Sequence, residues 1–248
     1  MEILLENKVV LITGSSRGLG RHLAVNFAKA GACVVINYFR SRDKAAELLE
    51  EIGKFNDRCM MIYGDVTKSD DVGNMYRQVM ERYGRIDVLI NNAGITNDDY
   101  INLMSESQWD SVISTNLSSV FLCCKYFSKN MVKRKSGRII NIASLKGQLG
   151  SEGQANYSAS KAAIIGFSKS LAKELGPVGV SVNVVCPGYV RTDLNRDNAN
   201  KYEIAKRMSA MSIEYGLDDL TNFMLFLATS VPQRHGFSGT GGCPAYLQ

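Results

Sequence analysis

Short runs of β-branched and apolar residues alternate along this chain with longer stretches whose apolar residues recur at helical spacing. The runs KVVLITG (8–14), CVVINY (33–38), RCMMIYGDV (58–66), IDVLINNAG (86–94), GRIINIAS (137–144) and VSVNVVCPG (180–188) predict strands. Helical patterns cover 18–30, 42–54, 69–84, 106–131 and 155–176. A strand that is apolar almost throughout is buried on both faces, and strands separated by helices pair in parallel. The expected fold is therefore α/β, a doubly wound parallel sheet of Rossmann-like form with helices on both faces. No repeat, low-complexity tract or Pro/Gly-rich linker divides the 248 residues, so 1–248 reads as a single domain. The stretch 189–216 breaks the rhythm. It is polar, carries Asn195, Asn198 and Asn200, and is expected to form a flap over a ligand site. Residues 230–248 read as an atypical tail.

Composition narrows the classes. Hydrophobic residues make up 45% of the chain and charged ones 21%, ordinary values for a soluble globular protein. The net charge of +5 is mild. Its only dense cluster, Lys133 to Lys135, reads as a solvated helix end, without the aromatic interleaving of a nucleic-acid surface. Six cysteines form no C-x-x-C pair and several lie in apolar runs, which predicts reduced, mostly buried thiols. With two histidines, His22 and His235, no metal site is expected. The amino terminus lacks a basic start followed by a long apolar stretch, and no apolar run approaches the roughly 18 residues of a membrane span. A cytoplasmic protein with neither membrane nor nucleic-acid partner is expected.

Two motifs carry chemistry. TGSSRGLG sets Gly14, Gly18 and Gly20 between the first strand and the first helix, where glycines permit a tight turn and free helix N–H groups face an anion. The spacing is G-x-x-x-G-x-G rather than G-x-G-x-x-G. An NAD site commonly ends its second strand with an acidic residue. Here that end reads INYFRS, with Asn37 and no carboxylate, while Arg17 and Arg40 are placed to bracket a 2′-phosphate. Taken together these favour NADP over NAD. Further on, YSASK sets Tyr157 and Lys161 four residues apart, on one face of a helix. An ammonium one turn from a phenol stabilises the phenolate and lowers its pKa, as a proton donor requires.

With these motifs the chain resembles the classical short-chain dehydrogenase/reductase family, and most closely its β-ketoacyl-[acyl-carrier-protein] reductase branch. TGSSRGLG, GDV at Asp65, NNAG (91–94), Asn116 in STNLSSVF, Ser144 in IINIAS, YSASK (157–161) and CPGYVRT (186–192) occur in family order. The resemblance implies a catalytic tetrad. Tyr157 would be the general acid, and Ser144 would bond the substrate oxygen. Lys161 would lower the Tyr157 pKa and hold the nicotinamide ribose, and Asn116 would hold a water that passes protons on. It implies a cofactor site of Gly14, Ser16, Arg17, Gly18, Leu19 and Gly20 in the loop, with Asn37, Tyr38 and Arg40 after the second strand. Asp65 and Val66 would meet the adenine; Asn91, Asn92, Ala93 and Gly94 would pass the adenosine ribose. Pro187, Gly188, Val190 and Thr192 would border the nicotinamide, alongside Tyr157 and Lys161.

The function implied is NADPH-dependent reduction of a carbonyl, foremost a 3-oxoacyl thioester, in a cytoplasmic homotetramer of fatty acid biosynthesis. The alternatives are a reductase of another ketone or secondary alcohol (polyketide, sugar or cyclic) and a non-catalytic NADP-binding subunit of an assembly. An acyl carrier protein is an expected partner. Lys133 to Lys135 match one of its basic docking positions, whereas GPVGV (176–180) lacks the other. In the tail no β-branched run follows Ser238-Gly239, which departs from the family's last strand.

Overall fold

The computed structural model describes residues 4–188 and 216–229. The expected flap (but for Gly216), Val190, Thr192 and the tail lie outside them. Six strands, β1 (Val9–Ile12), β2 (Cys33–Tyr38), β3 (Met60–Tyr63), β4 (Val88–Asn91), β5 (Gly137–Ile142) and β6 (Val180–Val185), form one parallel sheet. Their order is β3-β2-β1-β4-β5-β6. The order reverses between β1 and β4, and in open parallel sheets ligands bind outside the carboxyl ends of the strands at such a point.

Both faces are covered, and the strands show why they read as continuous apolar runs. Val10, Ile12, Val34, Ile36, Ile90 and Ile140 pack on one side against Leu23 and Phe27 of α1 (Gly18–Lys29), Leu48 and Ile52 of α2 (Arg42–Gly53), and Leu220 and Met224. Their neighbours Val9, Leu11, Val35, Leu89 and Ile139 point the other way. They meet Met75 and Val79 of α3 (Ser69–Tyr83), and Cys123, Phe127 and Met131. Successive residues of a strand face opposite sides, so two covered faces leave no polar alternation.

One element differs from expectation. The pattern over 106–131 is not a single helix. Instead α4 (Glu106–Ile113), opened by a capping box between Ser105 and Gln108, runs into a π turn (Ser114–Ser118) before α5 (Ser119–Arg134). The turn carries Asn116, fully buried, whose amide is bonded outside the helix. A π turn takes in one extra residue per turn, and such turns recur at functional sites. The sheet ends also place a four-residue helix, α6 (Lys146–Leu149), that periodicity does not reveal. The long helix α7 (Ala155–Leu175) has the expected bounds within one residue, and α8 (Leu217–Ala228) covers the sheet face beside α1.

Lys133 and Lys135 are exposed, as a solvated helix end requires, but Arg134 turns inward to Asp87 at 3.0 Å. Of the cysteines, Cys33, Cys59, Cys123 and Cys124 are buried and Cys186 is half-buried; these five form no disulfide. Burial pushes the Cys123 thiol up to about 12, which keeps it unreactive at neutral pH. Among the described residues no group of His, Cys, Asp and Glu could hold a metal, and no helix is long and apolar enough to cross a membrane.

Candidate active site

The loops that leave β1, β2, β3 and β4 are tied into one crevice wall. The Gly14 N–H donates to Asn37 Oδ1 at 3.0 Å, and the Ser15 N–H to the Asn37 carbonyl at 3.0 Å. Asn37 Nδ2 donates in turn to the Gly64 carbonyl at 3.1 Å. Thr13 Oγ1 accepts the N–H groups of Asn92 and Ala93, both at 3.0 Å, while Asn92 Nδ2 donates to the Thr13 carbonyl at 2.8 Å. A Cβ at Gly20 would lie 2.6 Å from both the Gly14 carbonyl and Asn92 Nδ2, so glycine alone lets α1 start this close to the loop. The helix begins with no acid in its first turn, and Arg17 at its N-cap makes no capping bond. Its free N–H groups and the bare loop suit a phosphate group.

Several expected cofactor residues have other duties. Asn37 is 2% exposed, and its amide braces the glycine loop. Asn91 is buried and donates to Asn141 Oδ1 at 2.8 Å inside the sheet, so Asn92, not Asn91, reaches the loop. Asp65 Oδ1 accepts the Thr67 N–H at 3.0 Å and hydroxyl at 2.7 Å, shaping the turn before α3. Val66 and Ser16 are buried, and Leu19 packs in part on the α1-side core. Tyr38 is half-buried against the Tyr63 ring. Arg17 and Arg40 are exposed at this rim, Arg40 lying 5.4 Å from the centre of the Phe39 ring. Replacing Asn37 by Asp sets a carboxylate against the Gly64 carbonyl. The expected result is a loss of roughly 1–3 kcal/mol in denaturant-measured stability with no gain in NADH use.

The second half of the crevice comes from β5, α6 and α7. The Ser144 hydroxyl, nearly buried, accepts the Lys146 N–H at 3.2 Å and shares a hydrogen bond with the Tyr157 phenol. Lys161 lies one turn further along α7, its Nζ 5.6 Å from the Tyr157 ring centre. It is 4% exposed and donates to the Ile142 carbonyl at 2.8 Å. Asn116 accepts the Ile95 N–H at 2.8 Å and donates to the Ile95 carbonyl at 3.0 Å and to Ser160 Oγ at 3.1 Å. Both its amide N–H groups are thus engaged by protein, so a water held by Asn116 would bond another of its polar atoms. A Cβ at Gly94 would stand 3.3 Å from Asn116 Oδ1 and 3.6 Å from Lys161 Nζ, so glycine keeps the approach to that ammonium open. The Pro187 carbonyl accepts the Leu145 N–H at 3.1 Å, and Gly188 is exposed at the far rim.

Burial raises the Tyr157 phenol above its ordinary value; the Ser144 bond opposes this and the Asp98 carboxylate adds to it. Burial is the largest of these influences on the phenol. Lys161 itself is driven down to about 8 by burial, with Cys186 opposing. A fully desolvated ammonium loses more hydration than one carbonyl returns.

Sequence reasoning missed four residues that frame these groups: Asp98, Lys146, Gln154 and Asn156. Asn156 Oδ1 takes the Tyr157 N–H at 2.7 Å and its Nδ2 donates to the Asn97 carbonyl at 2.9 Å, which holds the first turn of α7 to the loop after β4. The one local signal was a pair of amide side chains, Gln154 and Asn156, just ahead of Tyr157.

Residues 8–203 match the family model of short chain dehydrogenases. The chain is 40% identical over 224 residues to the 3-oxoacyl-[acyl-carrier-protein] reductase FabG of Staphylococcus epidermidis, covering 90% of this chain and 92% of that one. It is 43% identical over 223 residues to the 3-oxoacyl-[acyl-carrier-protein] reductase of a Synechocystis species, covering 90% and 89%. Its fold is similar to the crystal structure of a dehydrogenase/reductase from Sinorhizobium meliloti 1021. The TM-score is 0.85 at 30% identity, covering 92% of this chain and 90% of that one.

Proposed function

The chain belongs to the short-chain dehydrogenase family of oxidoreductases, which use a nicotinamide cofactor, and from that premise we propose that it reduces 3-oxoacyl thioesters with NADPH. The observation that carries the reading is the meeting of Ser144, Tyr157 and Lys161 outside the carboxyl end of β5, beside the glycine loop. The relatives named as 3-oxoacyl-[acyl-carrier-protein] reductases support the substrate class.

The residues divide the work as follows. The glycine loop and the start of α1 would hold the pyrophosphate, and Arg17 and Arg40 would hold the 2′-phosphate. When bound, the nicotinamide supplies hydride to the carbonyl carbon. Ser144 donates a hydrogen bond to the carbonyl oxygen and stabilises the charge that gathers there. Tyr157 gives that oxygen its proton, so C=O becomes CH–OH and the phenol becomes phenolate. Lys161, close to 8, stands within reach of neutral pH and returns a proton from solvent to the phenolate. Asn116 fixes the Ile95 backbone and, through Ser160, the first turn of α7; its part is to hold the tetrad's geometry.

The purified protein should oxidise NADPH on addition of a 3-oxoacyl thioester, followed by the loss of absorbance at the reduced nicotinamide band. No consumption with any chain length would overturn the substrate reading. Arg40→Ala is expected to raise the KM for NADPH roughly tenfold while leaving NADH unaffected, since one charge-assisted phosphate bond is worth about 1.5–3 kcal/mol. Equal loss with both cofactors would place Arg40 elsewhere. One observation favours a different ketone substrate: the turn Gly176–Val178 presents no basic side chain to an acidic carrier, leaving Lys133 and Lys135 alone. A panel of free ketones measured beside the carrier-bound substrate separates the two. The expected cytoplasmic homotetramer is part of the same reading. Exposed Trp109 on α4 and Phe121 on α5 support it, and the mass in solution tests it.

A further inference from the structure

The first turn of α7 is capped in an uncommon way. The first N–H groups of a helix have no partner within it, and the N-cap side chain ordinarily takes that of the second or third residue. Here the N-cap is Gln154, whose side chain makes no capping bond and goes instead to Lys146 and Asp98. The third residue is Tyr157, and its N–H is taken at 2.7 Å by Oδ1 of its own neighbour, Asn156. The bonds of the helix itself start one residue later, with the Ser158 N–H on the Gln154 carbonyl at 2.8 Å. The other end of the Asn156 carboxamide leaves the helix. Its Nδ2 donates to the Asn97 carbonyl at 2.9 Å and more weakly, at 3.4 Å, to the Gln108 carbonyl of α4. These two anchors are themselves joined, Gln108 Nε2 donating to Asn97 Oδ1 at 3.4 Å. On the far side of the same residue the Tyr157 carbonyl accepts the Ser160 hydroxyl at 2.7 Å, and Ser160 accepts Asn116 Nδ2 at 3.1 Å. Both peptide groups of Tyr157 are thus tied to the loop after β4 and to the π turn.

We infer that Asn156 is a positioning residue: by clamping the Tyr157 N–H to the Asn97 carbonyl it sets the aim of the phenol at the substrate oxygen. This rests on the reading of Tyr157 as proton donor. Such a donor works only within hydrogen-bond reach of its acceptor, and a displacement of about 1 Å is enough to lose most of the rate. Asn156 has no exposed surface, so it offers substrate nothing directly, and no solvent is at hand to replace the bonds it makes. The task needs an acceptor and a donor on one short side chain. Alanine supplies neither, and aspartate supplies the acceptor alone. Glutamine carries both, one carbon too far from the N–H of the next residue.

The test compares kcat and KM for thioester reduction in wild type, Asn156→Asp and Asn156→Ala. Aspartate keeps an acceptor for the Tyr157 N–H, and a carboxylate in the first turn suits the helix dipole, but it cannot donate to the Asn97 carbonyl. With Asn156→Asp, kcat is expected to fall roughly tenfold to a hundredfold while the KM for NADPH changes less than about twofold. Asn156→Ala should fall at least as far, and either variant carries the comparison if the other folds poorly. Asn130→Ala is the control. It removes a carboxamide that accepts the Ile86 N–H at 3.2 Å and donates to the Gly84 carbonyl at 3.3 Å, at the opposite end of β4, and should leave kcat at the wild-type value. Wild-type kcat in Asn156→Asp, an equal loss in Asn130→Ala, or a rise in the KM for NADPH that matches the fall in kcat overturns the inference. A second readout needs no substrate. In protein carrying ring-labelled tyrosine, the Tyr157 resonance is assigned by its loss in Tyr157→Phe. It should shift or broaden in both Asn156 variants and stay in place in Asn130→Ala. If no thioester is turned over and that resonance still moves, the substrate reading fails and the inference about Asn156 stands. A resonance left in place overturns it.

Discussion

Tyr157→Phe is expected to remove turnover by roughly two to four orders of magnitude while the fold and cofactor binding persist. Phenylalanine keeps the ring, and with it the packing at the start of α7. It removes the one O–H that can protonate the carbonyl oxygen and the hydrogen bond to Ser144. The Ser144 hydroxyl still has the Lys146 N–H as a donor, so it is not left unpartnered. The stability change should therefore stay near 1 kcal/mol, the net worth of one hydrogen bond. Cofactor affinity measured by fluorescence, set beside NADPH oxidation with a 3-oxoacyl thioester, separates the two effects. Turnover at the wild-type rate would remove Tyr157 from the chemistry.

Lys161→Met should abolish turnover and yet make the protein more stable at neutral pH. Burial drives Lys161 from 10.5 down to about 8 in the folded chain. The unfolded chain therefore binds the proton more tightly, and stability rises with pH between those two values. Below about pH 8 the folded protein carries the full penalty of a desolvated ammonium, about 3 kcal/mol for this shift. Methionine removes that penalty but also the bond to the Ile142 carbonyl, about 1 kcal/mol. A net gain of roughly 2 kcal/mol is expected at pH 7, fading as pH climbs toward 10.5. Urea unfolding of both proteins at pH 7 and pH 10 reads the difference. A variant less stable than wild type at pH 7 would show that Lys161 is better solvated or paired than its burial indicates.

Much of this molecule is legible in its sequence because the physics involved is local. The six apolar runs give six strands in the expected segments, since a strand covered on both faces must be apolar at successive positions. Gly14, Gly18 and Gly20 stand at the β1–α1 turn, and Ser144 closes β5, where residue type follows from what the backbone must do. Tyr157 and Lys161 share a face because the helix repeat sets that geometry within a single turn.

Partners and burial are another matter, because segments far apart in the chain supply them. The helical pattern over 106–131 holds no mark of the break at Asn116, which exists to reach Ile95, 21 residues earlier. Nothing in INYFRS shows that the Asn37 amide is turned into the glycine loop. The direction of the Tyr157 shift likewise depends on how much water the assembled walls exclude, burial being its largest cause. The sequence by itself determined the elements, their order and that Tyr157 and Lys161 share one face of α7, because covalent geometry sets those repeats. Only the tertiary structure decided what each polar group touches and how acidic it is, because hydrogen-bond partners and solvent exclusion are created when distant segments meet.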